Sequence, residues 1–167
     1  MGDVSIRFNM KAIVNKSNKP TVYKIEAIKG KKIGYKGDLS NGTLMPLDWA
    51  TTAQTNCFSQ NQFSEFDGNH IYYILNLPEK TVAKVTVHSL SHKKINIFGF
   101  TGHNGVSLPP KINNVNSCRA SFSDFGDFSK QSITLVSKEK DHILLAVAGA
   151  NGANTGKYHL IVELKDL

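Results

Sequence analysis

Lysines concentrated in the first third of the chain are the residues that most clearly suggest a chemistry. The chain carries a net charge of +7, and residues 1–50 hold 9 basic and 4 acidic side chains. The basic residues at the centre of this segment are Lys24, Lys29, Lys31, Lys32 and Lys36. Charges within about a Debye length of each other act as one patch. The segment therefore predicts a surface that binds a glycan or another anionic component of a cell envelope.

A second interpretation of these lysines is that they keep a β-rich surface soluble and its sheet edges unpaired. The run lacks arginine, and Tyr35 is the one aromatic side chain between Lys24 and Lys36, which favours this interpretation. We predict no specific nucleic-acid partner, and both interpretations of the lysines stay open.

Aromatic side chains in polar sequence form a second candidate contact surface. Trp49 is the one tryptophan of the chain, and Phe122, Phe125 and Phe128 recur at every third residue among Ser, Asp and Gly. Exposed rings on a β-sandwich can stack on sugars as they do on bases, which makes Trp49 the best single candidate for a ligand contact. The alternative, which the polar surroundings do not exclude, is that these rings fold back over a sheet end.

Two carboxylates beside a glycine, Asp124 and Asp127, are the candidate metal ligands. Glu65 and Asp67 are the distant carboxylates that could join them. Calcium needs several oxygen ligands, and here two are close in sequence. We therefore favour a solvated loop and expect no metal and no cofactor, with calcium as the one cation that the pair suggests.

The histidines and cysteines do not have the spacing of a catalytic or zinc site. The closest histidine pair, His88 and His92, falls on a strand end and its turn rather than on one helix face, and we expect surface positions for all six histidines. They are His70, His88, His92, His103, His142 and His159. The chain has no Gly-x-Ser-x-Gly elbow, and neither cysteine has an obvious histidine partner. We therefore predict that the protein is not an enzyme.

Cys57 and Cys118 are the two cysteines of the chain. They fit no zinc pattern and no Cys-x-x-Cys motif, so they either pair or remain as two buried thiols. Their polar, Asn/Ser-rich surroundings favour a disulfide, which belongs outside the cytoplasm. Residues 1–20 contain no hydrophobic signal core. Either an export signal is missing from the given chain, or Met1 is native and the protein is cytosolic.

Strand signals recur along the chain, whereas the apolar spacing of a helix is nearly absent. The predicted strands are 4–8, 21–28, 33–35, 70–77, 82–89, 95–101, 132–136, 142–148 and 157–164. Segment 142–148 is apolar on both faces, which predicts a central strand. Segment 37–56 is polar and predicts a linker or a long loop. This pattern predicts an all-β fold, an antiparallel, jelly-roll-like β-sandwich.

The period of two within these strands also predicts the core. The inward-facing residues are Tyr73, Leu75, Val85, Val87, Ile97, Leu145, Val147, Tyr158, Leu160 and Val162. The longest purely apolar stretch, 143–148, is far too short for a transmembrane helix. Residues 149–156 are rich in Asn and Gly, which predicts a wide hairpin connection.

Residues 66–164 resemble the bacterial pre-peptidase C-terminal (PPC) domain, a small β-sandwich appended to many secreted peptidases. The resemblance begins with Gly68 and the tyrosine-bearing strand 70–77, continues through the alternating strand 82–88 and the strand 94–100, and closes on Gly156-Lys157-Tyr158-His159-Leu160-Ile161-Val162. Asn96 stands where the family usually has an acidic residue. The resemblance implies a non-catalytic accessory domain outside the cytoplasm.

Together these observations predict an exported, non-enzymatic binding module, secreted or periplasmic, that adheres to a glycan or an anionic envelope surface. The alternatives are a structural or protein-interaction subunit of an envelope or secretion assembly, or an accessory domain of a secreted hydrolase. We expect two parts: an N-terminal β extension, residues 1–56, packed on a PPC-like sandwich of residues 57–167.

Overall fold

Two β-sheets pack face to face in a computed structural model of the chain. The structure describes residues 19–52, 57–102, 105–109, 111–112, 115–122 and 129–167, so the predicted strand 4–8 lies outside the described residues. The strands are β1 Val22–Lys24, β2 Lys32–Asp38, β3 Thr43–Leu44, β4 Asn69–Leu77, β5 Thr81–Ser89, β6 Ile95–Gly102, β7 Ser117–Ser121, β8 Lys130–Ser137, β9 Asp141–Gly149 and β10 Lys157–Asp166. Helical structure in the described ranges is limited to α1 Trp49–Thr52 and the 3-10 helices Leu39–Asn41 and Gln60–Glu65.

The sheet topology confirms the predicted all-β, antiparallel, jelly-roll-like sandwich. One sheet has the order β1-β4-β9-β6-β7, with β3 added to β4, and the other has the order β2-β10-β5-β8. The β1–β4 pair is parallel, and the other strand pairs are antiparallel. Strand β9 is central, as its apolar character on both faces predicts.

The described part of the N-terminal segment contributes to both sheets. Strand β1 joins the six-stranded sheet and is shorter than predicted, whereas β2 joins the four-stranded sheet and is longer. The segment 37–56, predicted as a linker or loop, begins inside β2 and continues through β3 and α1. A boundary at residue 56 stays a prediction.

The space between the sheets contains the predicted core. All ten residues predicted to face inward are buried in one cluster, which also includes Ile71, Ile133 and Ile143. Full burial of one such aliphatic side chain stabilises a protein by roughly 1.5–3 kcal/mol. The apolar residues that recur at every second position along the strands are therefore buried where the two sheets pack together.

A second apolar cluster covers the outer face of the six-stranded sheet. Phe98 of β6 packs against Trp49 with ring centroids 5.6 Å apart, and Phe58 stacks on Phe66 at 4.3 Å. Because the segment around α1 and the helix Gln60–Glu65 lies over this face, every residue of β6 is buried. We call this cluster the outer core; its other members include Met45, Leu47, Tyr72, Phe100, Leu144 and Ala146.

A disulfide ties this cover to the sheet beneath it. Cys57 lies beside Phe58 in the cover and is bonded to Cys118 of β7, with the two Cα atoms 4.9 Å apart. The predicted Cys57–Cys118 bridge is confirmed.

Candidate anion-binding face

The outward surface of the four-stranded sheet is built by strict alternation. In β10, Tyr158, Leu160 and Val162 are buried, while His159 and Ile161 between them are partly exposed. Successive side chains of a strand point to opposite sides of the sheet, so the same rule applies to β2, β5 and β8. We call the outward-facing residues the basic face: Lys32, Gly34, Lys36, Asp38, Val82, Lys84, Thr86, His88, Lys130, Ser132, Thr134, Val136, Lys157, His159, Ile161, Glu163 and Lys165.

Strand register aligns the charges of the basic face into rows. His159 lies opposite Lys36 on one side and opposite His88 on the other, and His88 lies opposite Lys130. This order places Lys36, His159, His88 and Lys130 in one line across the four strands. At a strand spacing of about 4.8 Å, the line is about 14 Å long.

The basic face carries a clear excess of positive charge. Its six lysines against two carboxylates give a net charge of +4 when the histidines are neutral. Glu163 is paired with Lys165 at 3.2 Å and with Lys32 at 4.0 Å. The Lys165 ammonium bonded to Glu163 holds the pKa of that carboxyl below its usual value. Four lysines of the face form no ion pair among the described residues: Lys36, Lys84, Lys130 and Lys157.

The two histidines of the row lie beside lysines. Partial burial lowers the pKa of His88, and the neighbouring Lys130 and His159 lower it further. The imidazole of His159 lies across Gly34, since a Cβ atom on that glycine would lie 2.5 Å from His159 Nε2. The centre of the face is therefore shallow, and both rings remain accessible to a ligand that lies on it.

The structure divides the lysines that sequence analysis grouped as one patch. Lys32 and Lys36 lie on the basic face, whereas Lys24 lies on β1 of the other sheet. Lys29 is bonded to Asp166 at 2.6 Å, and Lys31 is exposed just before β2. The sequence-predicted cluster is thus only partly brought together, and its role in binding stays a prediction.

A cavity adjoins one end of the basic face. It has a volume of about 330 Å³, and Lys36 and Lys157 of the face contribute to its lining. Its walls also include Tyr73 and Tyr158, whose hydroxyl oxygens lie 2.5 Å apart. The cavity extends the face toward the interior at the β2 edge of the sandwich.

Trp49, the predicted stacking residue, lies in the interior. Its side chain is 6% exposed and packs in the outer core, so it offers no ring face to a sugar. Phe122 packs against Phe66 with ring centroids 5.7 Å apart. Both observations support the alternative that these rings cover a sheet. Phe125 and Phe128 lie outside the described residues.

The predicted metal ligands do not assemble within the described residues. Asp124 and Asp127 lie outside them. Glu65 pairs with Lys94 at 2.5 Å, and Asp67 accepts the backbone N–H of Gly152 at 2.7 Å. Among the residues that the structure describes, no group of three or more His, Cys, Asp or Glu side chains could hold a metal ion. The described chain also lacks a helix with the length and apolar character to span a membrane.

His70 is buried, which corrects the prediction that every histidine lies on the surface. Its side chain is 0% exposed, and Nδ1 lies 2.9 Å from the carbonyl oxygen of Gly68. Its Nε2 atom has no hydrogen-bond partner among the described residues, and burial lowers the pKa to about 4. The neutral imidazole stacks near Tyr72 at 5.8 Å and belongs with the outer core.

The residues that sequence analysis missed are those contributed by the later strands. His88, Lys130 and His159 join Lys36 because of strand pairing between segments far apart in the chain. The signal that the sequence offers is alternation, which places His88 and His159 on the face opposite to buried Val87 and Tyr158. Pairing order is not encoded in the period of two, so the row could not be derived from it.

Comparisons with known proteins found similar chains among solved structures. No family model matches it, and no curated protein does. A pre-peptidase C-terminal domain of a Bacillus anthracis collagenase is similar at 13% identity and a TM-score of 0.42, covering 89% of this chain and 100% of that one. The domain is of the kind that residues 66–164 resemble, as the sequence predicted.

Two further solved structures are similar at comparable levels. The Aeromonas hydrophila PliG, a periplasmic inhibitor of g-type lysozyme, has 11% identity and a TM-score of 0.44, with 86% of this chain and 97% of that one covered. The surface-associated copper-binding protein CorA of Methylomicrobium album BG8 has 9% identity and a TM-score of 0.45, with 88% and 99% covered.

Proposed function

We propose that the protein is an exported, non-enzymatic binding module that adheres to an anionic glycan or envelope polymer through the basic face. The observation that carries the proposal is the line of Lys36, His159, His88 and Lys130 across four paired strands. The central strands β10 and β5 are paired on both sides, and the edge strands β2 and β8 are each paired on one side, so the sheet holds these four side chains at a regular spacing. A rigid, flat array of positive charge complements a long polyanion better than a compact ligand.

Several features support this function. Lys36, Lys84 and Lys130 are exposed and form no ion pair among the described residues, so a ligand does not have to displace a carboxylate from them. The Cys57–Cys118 disulfide favours an oxidising compartment and supports export. The face consists of ammonium, imidazole and hydroxyl groups, which bind anions without any need for a reactive centre.

A charge-matched pair of triple variants tests the proposal. Binding to heparin is measured at 50 and at about 200 mM salt, where a contact made of several ion pairs weakens steeply. We expect Lys36→Gln/Lys84→Gln/Lys130→Gln to lower the affinity about 100-fold, since each surface cation contributes about fivefold. The control, Lys24→Gln/Lys29→Gln/Lys31→Gln, removes the same charge outside the face and should lower it less than about fivefold.

The outcomes separate the competing interpretations. Equal losses in the two variants would assign binding to the N-terminal lysines or to net charge, and would overturn the basic face. An absence of salt-dependent binding to heparin would favour the structural or protein-interaction subunit. Melting temperatures of both variants should match the parent chain, because exposed charges contribute little to stability.

A further inference from the structure

Two histidines interrupt the line of cations on the basic face at its centre. His159 and His88 lie directly opposite each other on the paired strands β10 and β5. Lys36 of β2 flanks the pair on one side and Lys130 of β8 on the other. Near pH 7 the line therefore has two permanent charges at its ends and two titratable groups between them.

The next row of the basic face consists mostly of small residues. Two residues farther along the strands, Gly34, Thr86 and Ser132 lie opposite one another with Ile161 between them. The hydroxyl oxygens of Thr86 and Ser132 lie 2.8 Å apart, which keeps them against the sheet. Both imidazoles are partly exposed, so a ligand that lies along the line can reach them.

The charged groups that face the pair are mostly positive. Lys36 and Lys130 lie beside it, and Lys157 lies two positions along β10 with Asp38 of β2 opposite. On the other side, two rows away, Glu163 lies between Lys32 and Lys84, and its pairing with Lys165 offsets its charge. Without a ligand, burial and the neighbouring positive groups lower the pKa of His88. A bound polyanion brings negative charge beside the imidazoles, so protonation and ligand binding favour each other.

We propose that a linear polyanionic glycan lies across the strands along Lys36, His159, His88 and Lys130, and that protonation of His88 and His159 strengthens this binding in acid. The inference rests on the proposed function and adds the line of contact and its regulation. The ligand must remain negatively charged at the acidic pH at which the histidines become protonated, as sulfate esters do. Protonation of both rings raises the net charge of the face from +4 to +6.

The test compares the affinity for a heparin fragment at pH 7.5 and at pH 5.0 under constant ionic strength. With about fivefold per added cation, the parent chain should bind about 10- to 25-fold more tightly at pH 5.0. The affinity of the variant His88→Gln/His159→Gln should change less than about twofold between the two pH values. His92→Gln, which alters an exposed histidine of the β5–β6 turn, is the control and should respond as the parent chain does.

The possible results test the pH dependence, the role of the histidine pair and the proposed function separately. Binding at both pH values without an acid-induced gain would overturn the inference and leave the proposed function intact. An undiminished pH response in the double variant would show that other groups are responsible and would overturn the role of the pair. Failure to bind heparin at either pH would overturn the proposed function itself. Neutral dextran of the same length should not bind, and binding to it would contradict recognition by charge.

Discussion

The two sheets of this sandwich differ in how many of their faces are buried. The four-stranded sheet has one buried and one exposed face, so in β10 buried Leu160 and Val162 alternate with more exposed residues. The six-stranded sheet has the inter-sheet core on one face and the outer core on the other, and β6 is buried at every position. The exposed face of the four-stranded sheet can therefore carry a continuous array of charge, whereas the central strands β9 and β6 of the other sheet use both faces for stability.

The largest expected effect is a contrast between neighbouring residues. Val162→Asp places an unpaired carboxylate in the inter-sheet core and should unfold the protein, because that burial costs several kcal/mol. Ile161→Asp, one position away on the basic face, should change stability by less than about 1 kcal/mol. In β9, by contrast, both Ala146→Asp and Val147→Asp should unfold the protein, since both residues are 0% exposed.

Urea unfolding of the four variants, monitored by circular dichroism, checks this contrast. Tolerance of Ala146→Asp would mean that the outer core is loosely packed, and the two-faced burial of β9 would then be incorrect.

Reduction of the disulfide should have the next largest effect. Cys57 and Cys118 are 61 positions apart, and closing a loop of that length stabilises the folded state by about 4 kcal/mol in the chain-entropy model. Reduction should therefore lower the melting temperature, and scanning calorimetry with and without reductant measures it. Intact mass of the oxidised chain should be about two daltons below that of the reduced chain. Two free thiols in protein from its native compartment would refute the bridge.

Acid should destabilise the outer core through His70. The folded-state pKa is about 4, below the ordinary value of 6.5, so the unfolded chain takes up a proton that the folded chain rejects. Stability is then complete above about pH 6.5, falls as the pH decreases, and levels off below about pH 4. The total loss is about 3 kcal/mol.

The variant His70→Phe removes this titration while it keeps a ring in the outer core. Its free energy of unfolding should vary less between pH 7 and pH 4 than that of the parent chain, as measured by urea unfolding at each pH. The matched control His92→Gln alters an exposed histidine and should keep the parent's acid sensitivity. An identical pH profile for His70→Phe and the parent chain would contradict the assignment to His70.

The inter-sheet core could be predicted from the sequence because its signal is local. Tyr158, Leu160 and Val162 alternate with more exposed residues, and sheet packing needs no further information to bury them. The outer core could not be predicted in this way. Its cover includes Trp49 and Phe58, which lie in polar, aperiodic sequence, and their burial follows from tertiary contacts with β6.

The candidate site could also be predicted only in part from the sequence. The sequence predicts the lysines of β2 as candidates and groups Lys24 and Lys29 with them. In the structure, Lys24 and Lys29 lie elsewhere. The true neighbours of Lys36 come from β10, β5 and β8, and only strand order and register bring them together. Long-range pairing of this kind leaves no periodic trace in the sequence.

Residue-resolved mapping of a bound heparin fragment most directly tests whether the basic face binds a polyanion. Amide chemical shifts of the ¹⁵N-labelled protein are recorded during titration with the fragment at low salt. We predict that the largest chemical-shift changes occur at Lys36, His159, His88 and Lys130, and that the changes in β9 and at Lys24 are small. Largest changes in the cover of the six-stranded sheet, or at Lys24 and Lys29, would contradict the claim that the exposed face of the four-stranded sheet binds the ligand.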